Sequence, residues 1–422
     1  MQISNLFSIL GWKLSDDRKT VTFSYSHDIE DGSKESFTES FIYPVELDSF
    51  DTSIKNALDS LAIVVGTSYY KMYCPKEISV NHMKLGDDQI SYWETMYTKG
   101  LGEFYYQNTI DFRGLVKIID NGKLTNESNK KPWILNRVED DVKNKKTALV
   151  AWGGGKDSIV AFEMLKQKGY DCTLFSVRTS PIQQQTAQVT GRSYVVIQRV
   201  LDPLMIEKSK NGSAYPGHVP ITMINTWASL PLGLALGRHE IVFAAEKSSD
   251  YGNVQYLGME INHQWSKTAE AEKLTSIYIK DYIDNDLHWY SIIADMWEID
   301  VVKEFVNYPQ YFSTFSSCNR NFTLVKSTLD KRWCGQCSKC AFVFLLLAAY
   351  VDKQTLIPIF DKDVLDDENL IPIYRELLGY DIKPFECVGT PEEVTKAFEM
   401  IVEKGDFDES RILRKYKNTK LK

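Results

Sequence analysis

The six residues Gly153-Gly154-Gly155-Lys156-Asp157-Ser158 combine the groups needed to hold a polyphosphate. Glycines at 153, 154 and 155 remove every Cβ from the bend, so backbone amides can converge on phosphate oxygens. Ser158 can donate a further hydrogen bond where a helix begins. The helix dipole and its unpaired N–H groups favour an anion there. Lys156 contributes a mobile positive charge, and Asp157 can cap the helix or hold Mg²⁺. Two other nucleotide loops are excluded. A Walker A loop needs a glycine at position 150 and Ser or Thr after Lys156, where this chain has Val150 and Asp157. The dinucleotide pattern fails because Ser158 replaces its last glycine. A purely structural turn between strand and helix is the bland alternative.

A second constellation is Trp333-Cys334-Gly335-Gln336-Cys337-Ser338-Lys339-Cys340, two consecutive C-x₂-C steps. Thiolates at this spacing can wrap one soft cation, and Cys318 upstream can complete a Cys₄ tetrahedron. Structural zinc is the preferred reading; iron–sulfur ligation and metal-free buried thiols are the alternatives. Seven cysteines, an odd number, speak against a disulfide framework.

Other segments carry weaker signals. Glu246 and Asp250 suit a metal or a substrate ammonium group, or simply cap a solvated loop. Asn262-His263-Gln264-Trp265-Ser266-Lys267 reads as a recognition segment, with a helix cap at Ser266 as its rival. Segments 66–71, 100–104 and 383–389 join glycine bends to lysine, glutamate or thiol groups, and each in isolation also suits packing. His27, His82, His218, His239 and His288 lack a comparable setting.

These groups need elements to position them. Residues 147–152 form an apolar run suited to an interior parallel strand, and 159–168 have helical spacing ending at Gly169. Further strands are expected at 173–177, 194–198 and 241–245. Strand, helix and strand at these intervals predict an α/β fold with a doubly wound parallel sheet over 141–310. Residues 1–140 read as an α+β domain, with strands at 21–25 and 41–45, Pro44 favouring a sheet edge, and a helix at 55–65. A linker at 121–132 precedes a boundary near 140. Residues 311–422 form a largely helical C-terminal region carrying the cysteine cluster and packed on the nucleotide domain. A chain of 422 residues exceeds one hydrophobic core, and 43% hydrophobic with 25% charged residues is an ordinary folded balance. The net charge of -8 gives no bulk attraction to nucleic acid. The apolar runs at 7–12 and 342–349 are too short to cross a membrane, so a cytoplasmic protein with neither a nucleic-acid nor a membrane partner is expected.

The glycine segment closely resembles the Ser-Gly-Gly-x-Asp-Ser signature of the ATP pyrophosphatases, the PP-loop or adenine nucleotide α-hydrolase-like group. Gly153 stands where that signature has serine, so one hydroxyl is missing. The resemblance implies a HUP-type fold and cleavage of ATP to leave AMP on a substrate oxygen with pyrophosphate released. It implies a nucleotide site of Gly153, Gly154, Gly155, Lys156, Asp157 and Ser158, with Asp157 on Mg²⁺. Arg178, after the next strand, would reach the nucleotide or serve only as a surface cation. Cysteine clusters also occur in PP-loop deazaguanine nitrile synthases, which favours zinc at Cys318, Cys334, Cys337 and Cys340.

Taken with segments 66–71, 100–104, 318–320, 334–340 and 383–389, the chain resembles the UDP-N-acetyl-α-D-muramoyl-L-alanyl-L-glutamate epimerases over about three quarters of its length. That resemblance implies ATP- and Mg²⁺-dependent inversion of the terminal L-glutamate of a UDP-muramoyl dipeptide through an acyl-adenylate, for peptidoglycan precursor synthesis. The candidate catalytic residues are then Lys156, Asp157, His263, Glu386 and Cys387, with the sequence leaving open which of the last three move the protons. Cys318 is a further proton carrier only if it is not a metal ligand. Arg320 and Lys383 would hold glutamate carboxylates. Another AMP-forming PP-loop enzyme (a ligase, an amidating or a tRNA- or base-modifying enzyme) is the alternative, and a non-enzymatic nucleotide sensor a more distant one.

Overall fold

The computed structural model describes residues 3–120, 146–321 and 331–422. The expected linker at 121–132 and the boundary near 140 lie outside the described residues. Twelve strands occur among the described residues: β1 (Ser4–Leu14), β2 (Thr20–Ile29), β3 (Lys34–Ile42), β4 (Glu77–Val80), β5 (Lys117–Asp120), β6 (Thr147–Ala151), β7 (Asp171–Val177), β8 (Tyr194–Val200), β9 (Glu240–Phe243), β10 (Val254–Tyr256), β11 (Met259–Ile261) and β12 (His288–Ser291). Ten of them form one mixed sheet, in the order β12-β9-β6-β7-β8-β3-β2-β1-β4-β5.

The five strands β12, β9, β6, β7 and β8 run parallel; the parallel sheet is as expected, while β12 is a strand that no expected element covers. Their apolar runs follow from burial on both faces. In β6, Ala148 and Val150 enter one hydrophobic core while Leu149 enters the other. The chain builds β6, β7 and β8 outward in one direction, then returns to place β9 and β12 on the other side of β6. The reversal opens a crevice beyond the carboxyl ends of β6 and β9, where open α/β sheets bind ligands.

The N-terminal α+β part joins this sheet through antiparallel pairing of β3 with β8, Ile42 opposite Gln198. Beside that seam, Arg199 Nε reaches Glu39 Oε1 at 2.5 Å, both side chains buried. The strands expected at 21–25 and 41–45 meet as neighbours, Val21 opposite Phe41. β3 is not an edge strand, however, because it lies between β2 and β8. It ends at Ile42, so Pro44 falls beyond the ladder and its missing N–H leaves no gap in it.

The helix Thr52–Val65 packs on the helix Ile221–Ala235 in one core, with Tyr43 Oη donating to the carbonyl of Ala228 at 3.1 Å. The other core is built around the helix Ser338–Ala348, which is buried along its whole length. Together with the helices after it, this makes the expected helical C-terminal extension.

Candidate active site

The helix Lys156–Gln167 starts directly after β6, with the glycine loop between them at the crevice. Gly154 has φ +74°, and a Cβ there would meet Thr186 Oγ1 at 2.8 Å. A Cβ on Gly155 would meet Ser317 Oγ at 2.6 Å, so a larger residue there would have to turn this hydroxyl aside. Gly153 faces open space, and the serine usual in the signature would fit. The loop borders a cavity of about 400 Å³ that also takes in the ends of β7, β9 and β12.

Lys156 is not the mobile cation suggested by its place in the loop. It is fully buried, with Nζ 2.5 Å from Asp157 Oδ1 and in contact with Glu298. Lys339 Nζ lies 3.2 Å from the other Glu298 oxygen, so one buried carboxylate joins two lysines. Burial opposes the Glu298 charge, but Lys156 and Lys339 hold its carboxyl down to about 2. Burial likewise opposes the Lys156 charge, yet Asp157, Glu298 and Glu246 raise its affinity for the proton. Burial, with Glu298 close by, pushes Glu246 up to about 8. Glu246 Oε2 is buried without a hydrogen-bond partner among the described residues. The result is a buried network in which Lys156 and Lys339 are balanced by Glu298 and Asp157, directly behind the glycine loop.

The Sγ atoms of Cys318, Cys334, Cys337 and Cys340 all lie within 4.8 Å of one another. Cys334 and Cys340 are 3.6 Å apart, close to the roughly 3.8 Å edge of a tetrahedron with metal–sulfur bonds of about 2.3 Å. These four thiols form a group able to bind a metal. Its position ties it to the cavity. Cys318 sits in the loop whose Ser316, Ser317 and Asn319 line the wall, and Ser316 N–H donates to the Gly154 carbonyl at 3.2 Å. Lys339, which also lines the cavity, immediately precedes Cys340.

On the same wall stands Cys387, the fifth thiol of this half of the chain. Lys267 Nζ lies 3.4 Å from its sulfur, and Lys339 Nζ donates to its carbonyl. Burial raises the thiol pKa, but Lys267, then His263, then Lys339 overcome this and lower it to about 5. Burial disfavours the His263 cation, whereas Cys387 and Glu103 raise its pKa to about 9. His263 Nδ1 is 2.5 Å from Glu103 Oε2, and His218 Nδ1 is 2.9 Å from the same oxygen.

Of the residues expected from sequence, the cavity wall brings together Gly153, Gly155, Asp157, Ser158 and Cys387, with Gly154 and Lys156 just behind. His263 reaches this group through Cys387. Glu386 accepts from the Lys339 backbone N–H at 2.7 Å, and Lys383 is buried with Nζ donating to the Tyr251 carbonyl at 2.9 Å. Arg178 and Arg320 are exposed and do not line the cavity; Arg320 donates to Gln336 Oε1 at 3.2 Å. Cys318 lies within the four-cysteine group, the position in which a metal-ligand role would compete with a role as proton carrier. His218, expected to lack a comparable setting, instead shares Glu103 with His263; Glu298, Lys339 and Glu103 carry no individual signal in the sequence. Glu298 reads as an ordinary helix-start acid, and no local spacing links it to Lys156, 142 positions away. Glu103 was visible only as part of segment 100–104.

The doubly wound sheet, the glycine loop at its reversal point and the charges around that loop define a PP-loop protein of the HUP type. The family models resolve this further: the MurL N-terminal domain matches residues 1–292 and the MurL C-terminal domain residues 314–421, and the chain belongs to the MurL family. It is 33% identical, over 86% of its length and 78% of the relative's, to a UDP-N-acetyl-alpha-D-muramoyl-L-alanyl-L-glutamate epimerase of Xanthomonas oryzae pv. oryzae. It is 32% identical to a protein of the same name from Micromonospora, over 93% of its length and 86% of the relative's. A 7-cyano-7-deazaguanine synthase of Xanthomonas oryzae pv. oryzae is 26% identical over 46% of this chain and 90% of that protein.

Proposed function

We propose that the chain uses ATP to invert the terminal L-glutamate of UDP-MurNAc-L-Ala-L-Glu to D-glutamate, releasing AMP and pyrophosphate. The observation that carries this reading is the single cavity shared by a phosphate loop, fixed cations and a low-pKa thiol. Family membership and the names of the relatives supply the substrate.

The physical need for ATP is clear. A carboxylate beside Cα already bears negative charge, so removing the Cα proton would build a second charge on the same small unit. Adenylation neutralises the carboxylate and makes its carbonyl an electron sink. The glycine-loop amides and Ser158 would hold the phosphates, with Lys156 fixing the electrostatics from below. Asp157 is the residue best placed to hold Mg²⁺, which would offset phosphate charge. Among the candidates, His263, Glu386 and Cys387 are the groups available for acid–base or nucleophilic work. Lys383 remains a candidate for a substrate carboxylate. Burial lowers its pKa to about 8, so an incoming carboxylate would favour its charged form. Arg178 and Arg320 would need to swing inward to contribute. Zinc in the four-cysteine group is proposed as structural, fixing the loop of Ser316, Ser317 and Asn319 against the glycines. Among the described residues no helix is long and apolar enough to cross a membrane. Because ATP and UDP-linked precursors are cytoplasmic compounds, the cytoplasm is the proposed location.

The test is incubation with UDP-MurNAc-L-Ala-L-Glu, ATP and Mg²⁺ in deuterated water. The expected product is D-glutamate carrying solvent deuterium at Cα. An unlabelled or uninverted product from folded protein would sink the reading.

A further inference from the structure

Cys387, His263 and Glu103 stand in the order nucleophile, base and orienter. Glu103 Oε2 is 2.5 Å from His263 Nδ1 and is also held by His218 at 2.9 Å, which fixes the imidazole. His263 and Cys387 also act on each other's proton affinity, the imidazole lowering the thiol and the thiolate raising the imidazole. The sulfur borders the cavity that holds the glycine loop, with Lys267 Nζ 3.4 Å away. The other charged groups around it are Lys339, Lys383 and Glu386. This is more than a lone thiol: three elements far apart in sequence converge on it.

We propose that Cys387 takes the activated glutamyl group from AMP as a covalent thioester, and that inversion at Cα takes place on this thioester. The step rests on the carboxylate activation proposed above. The sulfur–carbon bond forms as the carbon–oxygen bond to the AMP phosphate breaks, and the electron pair leaves on the phosphate oxygen. The Cα proton passes to His263, and a proton from solvent returns to the opposite face. Water then cleaves the thioester, restoring the thiolate and giving the D-glutamyl carboxylate.

The electrostatics favour a nucleophile over a base at Cys387. Lowering a thiol from 9.0 to about 5 cuts its proton affinity about ten-thousand-fold but its nucleophilicity only about a hundredfold. Such a thiolate is a poor match for a carbon acid and still a good match for an acyl-adenylate. Acylation also changes His263. The thiolate partner is the first of the groups that raise the imidazole to about 9, and a neutral thioester no longer does so. Glu103 keeps the ring oriented while its basic nitrogen becomes available.

The test combines rapid acid quenching with peptide mass spectrometry after mixing enzyme, UDP-MurNAc-L-Ala-L-Glu, ATP and Mg²⁺. The expected result is a substrate-minus-water adduct on the Cys387 peptide, cleaved by neutral hydroxylamine and enriched in the His263→Gln variant. Cys387→Ala should keep substrate-dependent ATP–pyrophosphate exchange within about fivefold while epimerisation falls by about a thousandfold or more. Cys387→Ser, a smaller change, should form an oxyester that resists hydroxylamine. Exchange without an adduct in wild type and His263→Gln, or epimerisation by Cys387→Ala within about tenfold of wild type, would overturn the thioester. Wild-type protein without substrate-dependent exchange would instead overturn the activation step beneath it, and the thioester with it.

Discussion

Cys340 and Cys387 are the same side chain set among different neighbours. Cys340 faces three other sulfurs and is fully buried, an arrangement suited to a metal. Cys387 faces Lys267, His263 and Lys339, an arrangement suited to a free thiolate. Lys339 links them, since it precedes Cys340 in the chain and donates to the Cys387 carbonyl. The difference teaches that thiol chemistry here is set by what converges on the sulfur. Lys339 thus lies between the four-thiol group and the cavity.

The largest expected effect comes from the four-thiol side. Cys340→Ser, or prolonged chelation, should remove the metal and lower the melting temperature by more than about 10 °C, because metal binding there supplies folding free energy. Metal analysis with thermal unfolding checks this; an unchanged melt after complete metal loss would reduce the cluster to packed thiols. Asp157→Ala should leave the metal in place and slow AMP formation by about 10²–10³-fold, measured by product chromatography. Parallel loss of metal and fold would make Asp157 a structural residue.

Glu298→Gln tests the link between the two regions. Removing the charge leaves Lys156 with Asp157 alone and Lys339 with the Cys387 carbonyl alone among the described residues, which should cost about 3–5 kcal/mol in urea unfolding. A shift near zero would show the lysines finding other partners. The pH dependence of alkylation then separates the thiols. The cations around Cys387 lower its pKa, so the reactive thiolate is lost as pH falls through about 5. Iodoacetamide should therefore label Cys387 at a rate that is half-maximal near pH 5, while metal-bound cysteines stay protected. Lys267→Met should move that midpoint upward, and a wild-type midpoint near the ordinary 8.5 would refute the thiolate. The smallest effects are expected at exposed Arg178 and Arg320, where alanine should change the KM for ATP by roughly twofold or less. A tenfold change at Arg178 would show that it does reach the nucleotide.

The parts of this site that were legible in the sequence are local. The glycine loop and the double C-x₂-C step each complete most of their chemistry within eight residues, and β6 with its following helix reads from one apolar run and one change of period. What could not be read is convergence. Glu103 and His263 are 160 positions apart and Lys267 and Cys387 120 apart, and no periodicity couples such pairs. The joining of β3 to β8 is equally tertiary, because its short antiparallel ladder leaves no mark on either strand's pattern. Lys156 shows the same limit in reverse. Its place in a phosphate loop suggested a mobile cation, while a carboxylate from a distant helix holds it fixed.

The central claim is that this cavity cleaves ATP between the α and β phosphates to activate a substrate carboxylate. Phosphorus NMR of the products formed with UDP-MurNAc-L-Ala-L-Glu tests it most directly. AMP and pyrophosphate should appear together and only when that substrate is present. ADP with inorganic phosphate, or AMP formed equally well without the substrate, would contradict it.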